Sequence, residues 1–392
     1  MSDEQRKVGV AVVGVGGAVA TTAIAGVELL KVGACGFEGL PFSDITSLVP
    51  YTSLVFGGWD LDGDDLAKAA HLHGVLEPRV VEAAGAGLAA VAPWPAVADP
   101  EYCRNAVGAN VIPISSLRGR VDHIRTDIER FRTEHDLDRV VVVNLASTER
   151  WPDLTLPSLQ TPEAFEAALD ADDPVISPSM VYAYAAITSD SPYVNFTPSA
   201  SADIPALLEI ALQRAVPVAG KDGKTGQTMM KTVLAPAFRS RSLHVDGWYS
   251  TNILGNRDGQ ILEDPDSLSS KLQTKGTVLD QCLGYEVEDH VVRIDYYRPR
   301  GDQKEAWDNI DLTGFLGQRM QVKVDFLCRD SILAAPLVLE LARLVDEAGR
   351  RGEGGAQEQL GYFFKQPITR DGSAPEHALY RQEQVLREWL AR

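Results

Sequence analysis

Lysine is scarce and unevenly placed in this chain. Of 392 residues, 26 are arginine and 11 lysine; no lysine falls between Lys68 and Lys221, and eight lie from Lys221 onward. A guanidinium cannot give up its proton, whereas an ammonium is a compact donor whose proton affinity moves when it is desolvated or crowded by cations. Amines gathered in one region therefore suit phosphate binding, oxyanion stabilisation and proton transfer. Lys271 and Lys275 in "SSKLQTKG" are four apart and would share a helix face, repelling each other unless an anion lies between them. The plainer alternative is a solvated basic face. Lys304 in "RGDQKEAW" and Lys365 in "YFFKQP" stand among aromatics, where a stem laid over apolar surface would also account for them. "GKDGKTGQT" adds Lys221 and Lys224 beside Asp222 and Thr225.

A second signal is "GVGGAV" after the apolar run Val8 to Val13. Gly14 and Gly16 keep the spacing of a dinucleotide turn, in which backbone amides meet a diphosphate at a helix N-terminus, but Val19 stands at the third glycine position. By itself such a turn also serves merely to join strand to helix. The acidic residue expected some twenty positions later is missing. Asp60, closing the strand "YTSLVFGGWD", has the right context for the adenosine ribose and would favour NAD over NADP.

These residues need elements to hold them. "KVGVAVVGVGGAVATTAIAGVELL" reads as strand, turn and helix, and "SLRGRVDHIRTDIERFRTEHDLDR" as a helix with Leu117, Val121, Ile124, Ile128 and Phe131 on one face. That helix leads into the wholly apolar strand "VVVVNLASTE". Alternating strands and helices predict a doubly wound parallel α/β sheet, with its ligands beyond the carboxyl ends of the strands. From about Asp203 the polarity alternates instead ("SLHVDGWYSTNI", "HVVRIDYYRP", "RMQVKVDFLC"), which predicts an antiparallel sheet. "SILAAPLVLELARLVDEAGRR" follows as a long amphipathic helix. The expected division is a nucleotide-binding domain over residues 1–200, an α+β domain over 201–310, and a segment, 311–392, that packs back on the first.

A net charge of −18 opposes nucleic acid and anionic membrane surfaces as partners. A small anionic substrate stays compatible with it only if local cations reverse the mean field. The four cysteines form no CxxC pair, which argues for a reducing compartment, and no apolar run approaches the length of a membrane span. No His/Cys cluster has metal-ligand spacing.

Ten stretches taken together, "GVGG", "GGWDL", "NLASTE", "YVNFTPSASADIPAL", "GKDGKTGQT", "WYSTNILGNRDG", "SSKLQTK", "GDQK", "CRDSILAAP" and "FFKQP", resemble the inositol-phosphate synthase family, in the family's order and over nearly the whole chain. The short form is most similar to the archaeal branch. The resemblance implies a Rossmann-type domain with an inserted α+β domain for catalysis and tetramerisation, a cytoplasmic homotetramer, and NAD-dependent conversion of glucose 6-phosphate to inositol 1-phosphate. In that reaction NAD oxidises carbon 5, a base enolises carbon 6, carbon 6 attacks the aldehyde, and the retained hydride returns. It also implies that Gly14, Gly16, Gly17, Asp60, Ala146, Ser147 and Thr148 hold the cofactor, and that Asp222, Thr225, Asn256 and Asp258 line the nicotinamide and substrate pocket. The catalytic set it implies is Lys271, Lys275, Lys304 and Lys365 with Asp330. Lys271 would hold the enolate oxygen and Lys275 the phosphate or the same oxyanion, while Lys304 and Lys365 polarise the aldehyde and move protons. Lys224 would shape or charge the pocket. Lys221 departs from the pattern, standing where many relatives carry an aspartate, and the need for a monovalent or divalent cation is left open. Competing readings are a carbocyclase closing fructose 6-phosphate to a five-membered ring, a plain NAD-dependent sugar-phosphate dehydrogenase, and an inactive NAD-binding sensor.

Overall fold

The computed structural model of the protein describes residues 6–104, 106–255 and 276–392. Its larger sheet is built by β1 (Val8–Val13), β2 (Leu54–Asp60), β3 (Trp94–Pro95), β4 (Arg139–Asn144), β5 (Tyr193–Asn195), β6 (Pro217–Gly220) and β11 (Gly355–Ala356), in the spatial order β11-β6-β5-β4-β1-β2-β3. Every pairing in it is parallel. The helices of this part are α1 (Ala18–Lys31), α2 (Leu66–His73), α3 (Pro78–Ala89), α4 (Leu117–Glu134), α5 (Pro162–Asp170), α6 (Pro178–Thr188) and α7 (Pro205–Gln213).

Alternation along the central strands divides their side chains between two cores. Val8, Val10, Val12, Val141 and Val143 face α1 and α3, while Ala11, Val13, Val140 and Val142 face α4 to α7. Burial on both sides is why β1 and β4 read as unbroken apolar runs. The chain runs outward from β1 to β3 and then crosses back to β4 on the other side of β1. The β1/β4 gap is therefore the switch point where such sheets open a crevice.

After residue 200 the chain first completes this sheet, with α7 and the buried β6, before it builds the second one. That sheet contains β7 (His244–Leu254), β8 (Asp289–Tyr296), β9 (Gln303–Thr313) and β10 (Arg319–Arg329) in the order β10-β9-β7-β8. Helices α8 (Gly226–Ser240) and α9 (Gly276–Leu283) cover one face, through Ala235, Phe238, Val278 and Leu279 against Trp248, Ile310 and Leu312. The expected antiparallel sheet is only partly so. β9 is antiparallel to β7 and β10, but β8 runs parallel to β7, because the chain between them makes a crossover that includes α9 instead of a hairpin. The central β9 escaped the sequence reading because its inward row, Ala306, Asp308, Ile310 and Leu312, is interrupted by a carboxylate. Asp308 is satisfied by Trp248 Nε1 at 2.7 Å and Ser250 Oγ at 2.6 Å.

The long C-terminal helix, α10 (Asp330–Arg350), is buried almost all round from Val338 to Ala348, unlike the amphipathic helix predicted. It tolerates this because its charges are paired: Arg343 donates to Glu340 at 2.7 Å and to the Val49 carbonyl at 2.8 Å, and Arg6 donates to Asp346 at 3.0 Å. It lies against α1 in the core that also holds α11 (Leu379–Leu390), through Leu386 and Trp389.

Candidate active site

At the end of β1 the chain must turn within hydrogen-bonding reach of β2 and β4. Gly14 does so at φ +85, a left-handed conformation that glycine adopts freely, and a Cβ there would sit 3.3 Å from the Leu145 carbonyl oxygen. Its amide and that of Val15 both donate to the Trp59 carbonyl, at 2.8 and 3.1 Å. Asp60 is one residue further along: its Oδ2 accepts the Gly16 amide at 2.8 Å and its Oδ1 the Asp62 amide at 3.0 Å. Asn110 Nδ2 donates to the Asp60 carbonyl at 2.9 Å and ties the loop after β3 to the same place. α1 begins at Gly17 with no side-chain cap and no acidic residue in its first turn. The amides at its start therefore remain available to an anion, with the helix dipole behind them.

Across the crevice, Leu145, Ala146, Ser147 and Thr148 extend from β4, with Asn144 Oδ1 accepting the Ala146 amide at 3.1 Å. Glu149, the next residue, is buried, and its Oε1 accepts the Ser179 amide at 2.9 Å and Ser179 Oγ at 2.8 Å at the start of α6. Burial pushes its carboxyl up to about 7, although the serine hydrogen bonds pull the other way.

The third wall is "GKDGKTGQT". Residues 221–223 pair with residues 364–366 through Lys221 N to Gln366 O (2.7 Å), Lys365 N to Asp222 O (2.7 Å) and the Gly223/Phe364 bridge. This short ladder sets Lys365 Nζ 2.6 Å from Asp222 Oδ1. The other carboxylate oxygen, Asp222 Oδ2, is buried and has no hydrogen-bond partner among the described residues. Beside it, Thr225 Oγ1 donates to Asp330 Oδ1 at 2.9 Å, and Lys304 Nζ lies 3.6 Å from Asp330 Oδ2. Asp330 opens α10, where the helix dipole favours a carboxylate.

These walls enclose one cavity of about 980 Å³, whose lining includes Gly14, Gly16, Gly17, Asp60, Ala146, Ser147, Thr148, Asp222, Thr225, Lys304, Asp330 and Lys365. Lys304 and Lys365 thus contact carboxylates in the wall of a cavity, and do not simply lie over aromatics. Asn256, Asp258, Lys271 and Lys275 lie outside the described residues.

Lys224, expected to shape or charge the pocket, does not line it. Its amine turns the other way, 2.5 Å from Gln382 Oε1 of α11, and burial lowers its pKa to about 7. Lys221 also turns away, to Asp203 Oδ2 at 2.6 Å and the Trp151 ring at 4.2 Å. Both residues flank Asp222, and each side chain leaves the turn for a different partner outside the cavity. Lining residues that the sequence reading missed are His73, Glu149, Tyr182, Gln227 and Asn252. Glu149 and Gln227 stand inside quoted motifs and were within reach, whereas His73 is 57 residues from the turn it touches and left no local signal. Among the described residues, no group of three or more His, Cys, Asp and Glu side chains could hold a metal ion.

The uncapped helix start, the glycine turn and the carboxylate closing β2 fit the diphosphate and ribose of a dinucleotide. Comparison with known proteins agrees. The family model described as myo-inositol-1-phosphate synthase, an NAD-binding domain, matches residues 37–391. Inositol-3-phosphate synthase 1 of Bacteroides thetaiotaomicron is 42% identical over 98% of this chain and 95% of its own length. Inositol-3-phosphate synthase 1 of Oryza sativa subsp. japonica is 30% identical over 92% of this chain and 75% of its own. The crystal structure of inositol-3-phosphate synthase from Caenorhabditis elegans superposes with a TM-score of 0.91 at 27% identity, covering 98% of this chain and 85% of that one. The chain belongs to the myo-inositol-1-phosphate synthase family.

Proposed function

We propose that this enzyme cyclises D-glucose 6-phosphate to 1L-myo-inositol 1-phosphate, with NAD as a catalyst that is regenerated in each turnover. The observation that carries this reading is the pair of lysine–aspartate contacts, Lys365–Asp222 and Lys304–Asp330, facing the same cavity as the glycine turn and Asp60. Gly14, Gly16, Gly17 and the first amides of α1 hold the diphosphate, Asp60 the adenosine ribose, and Ala146, Ser147 and Thr148 the nicotinamide half. When bound, NAD supplies reversible hydride acceptance at substrate carbon 5.

Every step between the two hydride transfers develops negative charge on a substrate oxygen, and the chain's own ammonium groups answer it. Lys304 and Lys365 polarise the carbonyl oxygens and move protons, each held at its place by a carboxylate. Lys271 holds the enolate oxygen and Lys275 the phosphate, while Asp222, Thr225, Asn256 and Asp258 line the pocket. In a site closed to water, each preorganised donor of this kind is worth about 3 kcal/mol of transition-state stabilisation. We further read residues 1–200 as the cofactor domain, 201–310 as the catalytic and oligomerisation domain and 311–392 as the returning segment, with β6 crossing the first boundary to complete the first sheet and β10 crossing the second to complete the second sheet. The assembly we propose is a cytoplasmic homotetramer joined through the second sheet, whose β9–β10 hairpin exposes Phe315 and Leu316. Light scattering on the full chain tests it.

Incubating the protein with NAD and glucose 6-phosphate, or with fructose 6-phosphate, and identifying products by mass and NMR tests the reaction. The expected result is a six-membered cyclitol phosphate from glucose 6-phosphate with no build-up of NADH. A five-membered product from fructose 6-phosphate, or NADH in proportion to substrate consumed, would overturn it.

A further inference from the structure

The peptide between Gly16 and Gly17 is flanked by glycine on both sides, so steric hindrance does little to prevent its rotation. Its orientation matters, because a carbonyl oxygen turned toward the cavity would face a dinucleotide's diphosphate with a partial negative charge. Both of its polar atoms are pinned. The Gly17 N–H donates to the Gly14 carbonyl at 3.0 Å, and the Gly16 carbonyl lies 2.8 Å from Nε2 of His73. The carbonyl can only accept, so Nε2 carries the proton.

His73 is delivered to this point by α2. The helix starts at Asp65, whose side chain accepts the Lys68 amide, is anchored by the buried Leu66 and Ala70, and stops at Gly74 in the left-handed conformation. His73 is thus its last residue, and it lines the cavity together with Gly16 and Gly17. Asp60 holds the preceding peptide through the Gly16 amide. Successive peptides of the turn are therefore locked by side chains from two different elements.

We propose that His73 is a positioning residue for the cofactor's diphosphate: by holding the Gly16 carbonyl away from the anion, it keeps the turn in its binding conformation. This concerns binding of NAD, not the cyclisation, and stands or falls independently of the product formed. The test is equilibrium dialysis of the full-length protein and its His73→Leu and His73→Gln variants against NAD, ADP-ribose and adenosine. Leucine keeps bulk without a donor, whereas glutamine restores a side-chain N–H. His73→Leu is expected to bind NAD and ADP-ribose about tenfold more weakly, about 1.4 kcal/mol, with adenosine unchanged, and His73→Gln to recover most of the loss. Equal affinities in the two variants, or adenosine weakened alongside ADP-ribose, would overturn the proposal. The unaltered enzyme gives a second measurement: with nitrogen-labelled histidine, NMR should find the proton of His73 on Nε2 before and after ADP-ribose is added. A proton found on Nδ1 alone would refute the hydrogen bond itself.

Discussion

Replacing Glu149 by glutamine should stabilise the enzyme at alkaline pH and much less at acid pH. The side chain is 6% exposed and contributes to the cavity wall. Glutamine can offer the same Oε1 to the Ser179 amide and hydroxyl, so the exchange removes the charge and little else. Burial raises the carboxyl from 4.5 to about 7 in the folded protein. A group raised in this way contributes stability that is full below its unfolded value and is lost as pH rises through its folded value. At about 1.4 kcal/mol per factor of ten in proton affinity, the wild type forfeits about 1 kcal/mol by pH 5 and about 3 kcal/mol by pH 8 relative to the uncharged variant. Other titrating groups are common to both proteins and cancel in the difference. For a chain of this length the widening of about 2 kcal/mol corresponds to about 2–3 °C in melting temperature. Calorimetric melts of both proteins at the two pH values measure it directly. A gap between variant and wild type that stays constant, or narrows toward alkaline pH, would show that Glu149 is ionised and compensated in the fold, and the reasoning from burial would fail.

Other predictions concern single groups. Asp222→Asn should weaken the hold on Lys365 and lower kcat by tenfold or more, by about 1.4 kcal/mol at least, with NAD affinity within about threefold; unchanged kcat in steady-state assays would remove Asp222 from the chemistry. Lys304→Met should abolish cyclisation while leaving the melting temperature near that of the parent, since its contact with Asp330 is a single one at 3.6 Å. Asp60→Ala removes the acceptor of the Gly16 amide and should weaken NAD by about 1–2 kcal/mol, read by calorimetric titration. Lys224→Met should be more stable than wild type by a margin that grows as pH falls from about 10.5 to about 7 and then levels off, because burial lowers the folded amine from 10.5 to about 7. Urea melts that show no such trend would place a charged amine there.

Much was legible from sequence because it is local. The apolar runs of β1 and β4, the spacing of Leu117, Val121, Ile124, Ile128 and Phe131, and the Gly14–Gly16 turn each depend on a few neighbouring residues. Lysine placement singled out Lys304 and Lys365, which line the cavity, since scarcity in an arginine-rich chain is a property of composition. Direction was not legible. Lys221, Asp222 and Lys224 are consecutive or nearly so, yet only Asp222 turns into the cavity, because pairing with residues 364–366 sets which way each side chain leaves the turn. The parallel placement of β8 beside β7, the burial of a helix as charged as α10, and the contact of His73 with a carbonyl 57 residues away likewise depend on packing between distant segments. The sequence by itself determined the elements and the inventory of chemical groups, since propensity and periodicity act over a few residues. Tertiary structure alone decided which of those groups share a cavity and which amine meets a carboxylate, since desolvation and hydrogen-bond geometry exist only once remote stretches have been brought together.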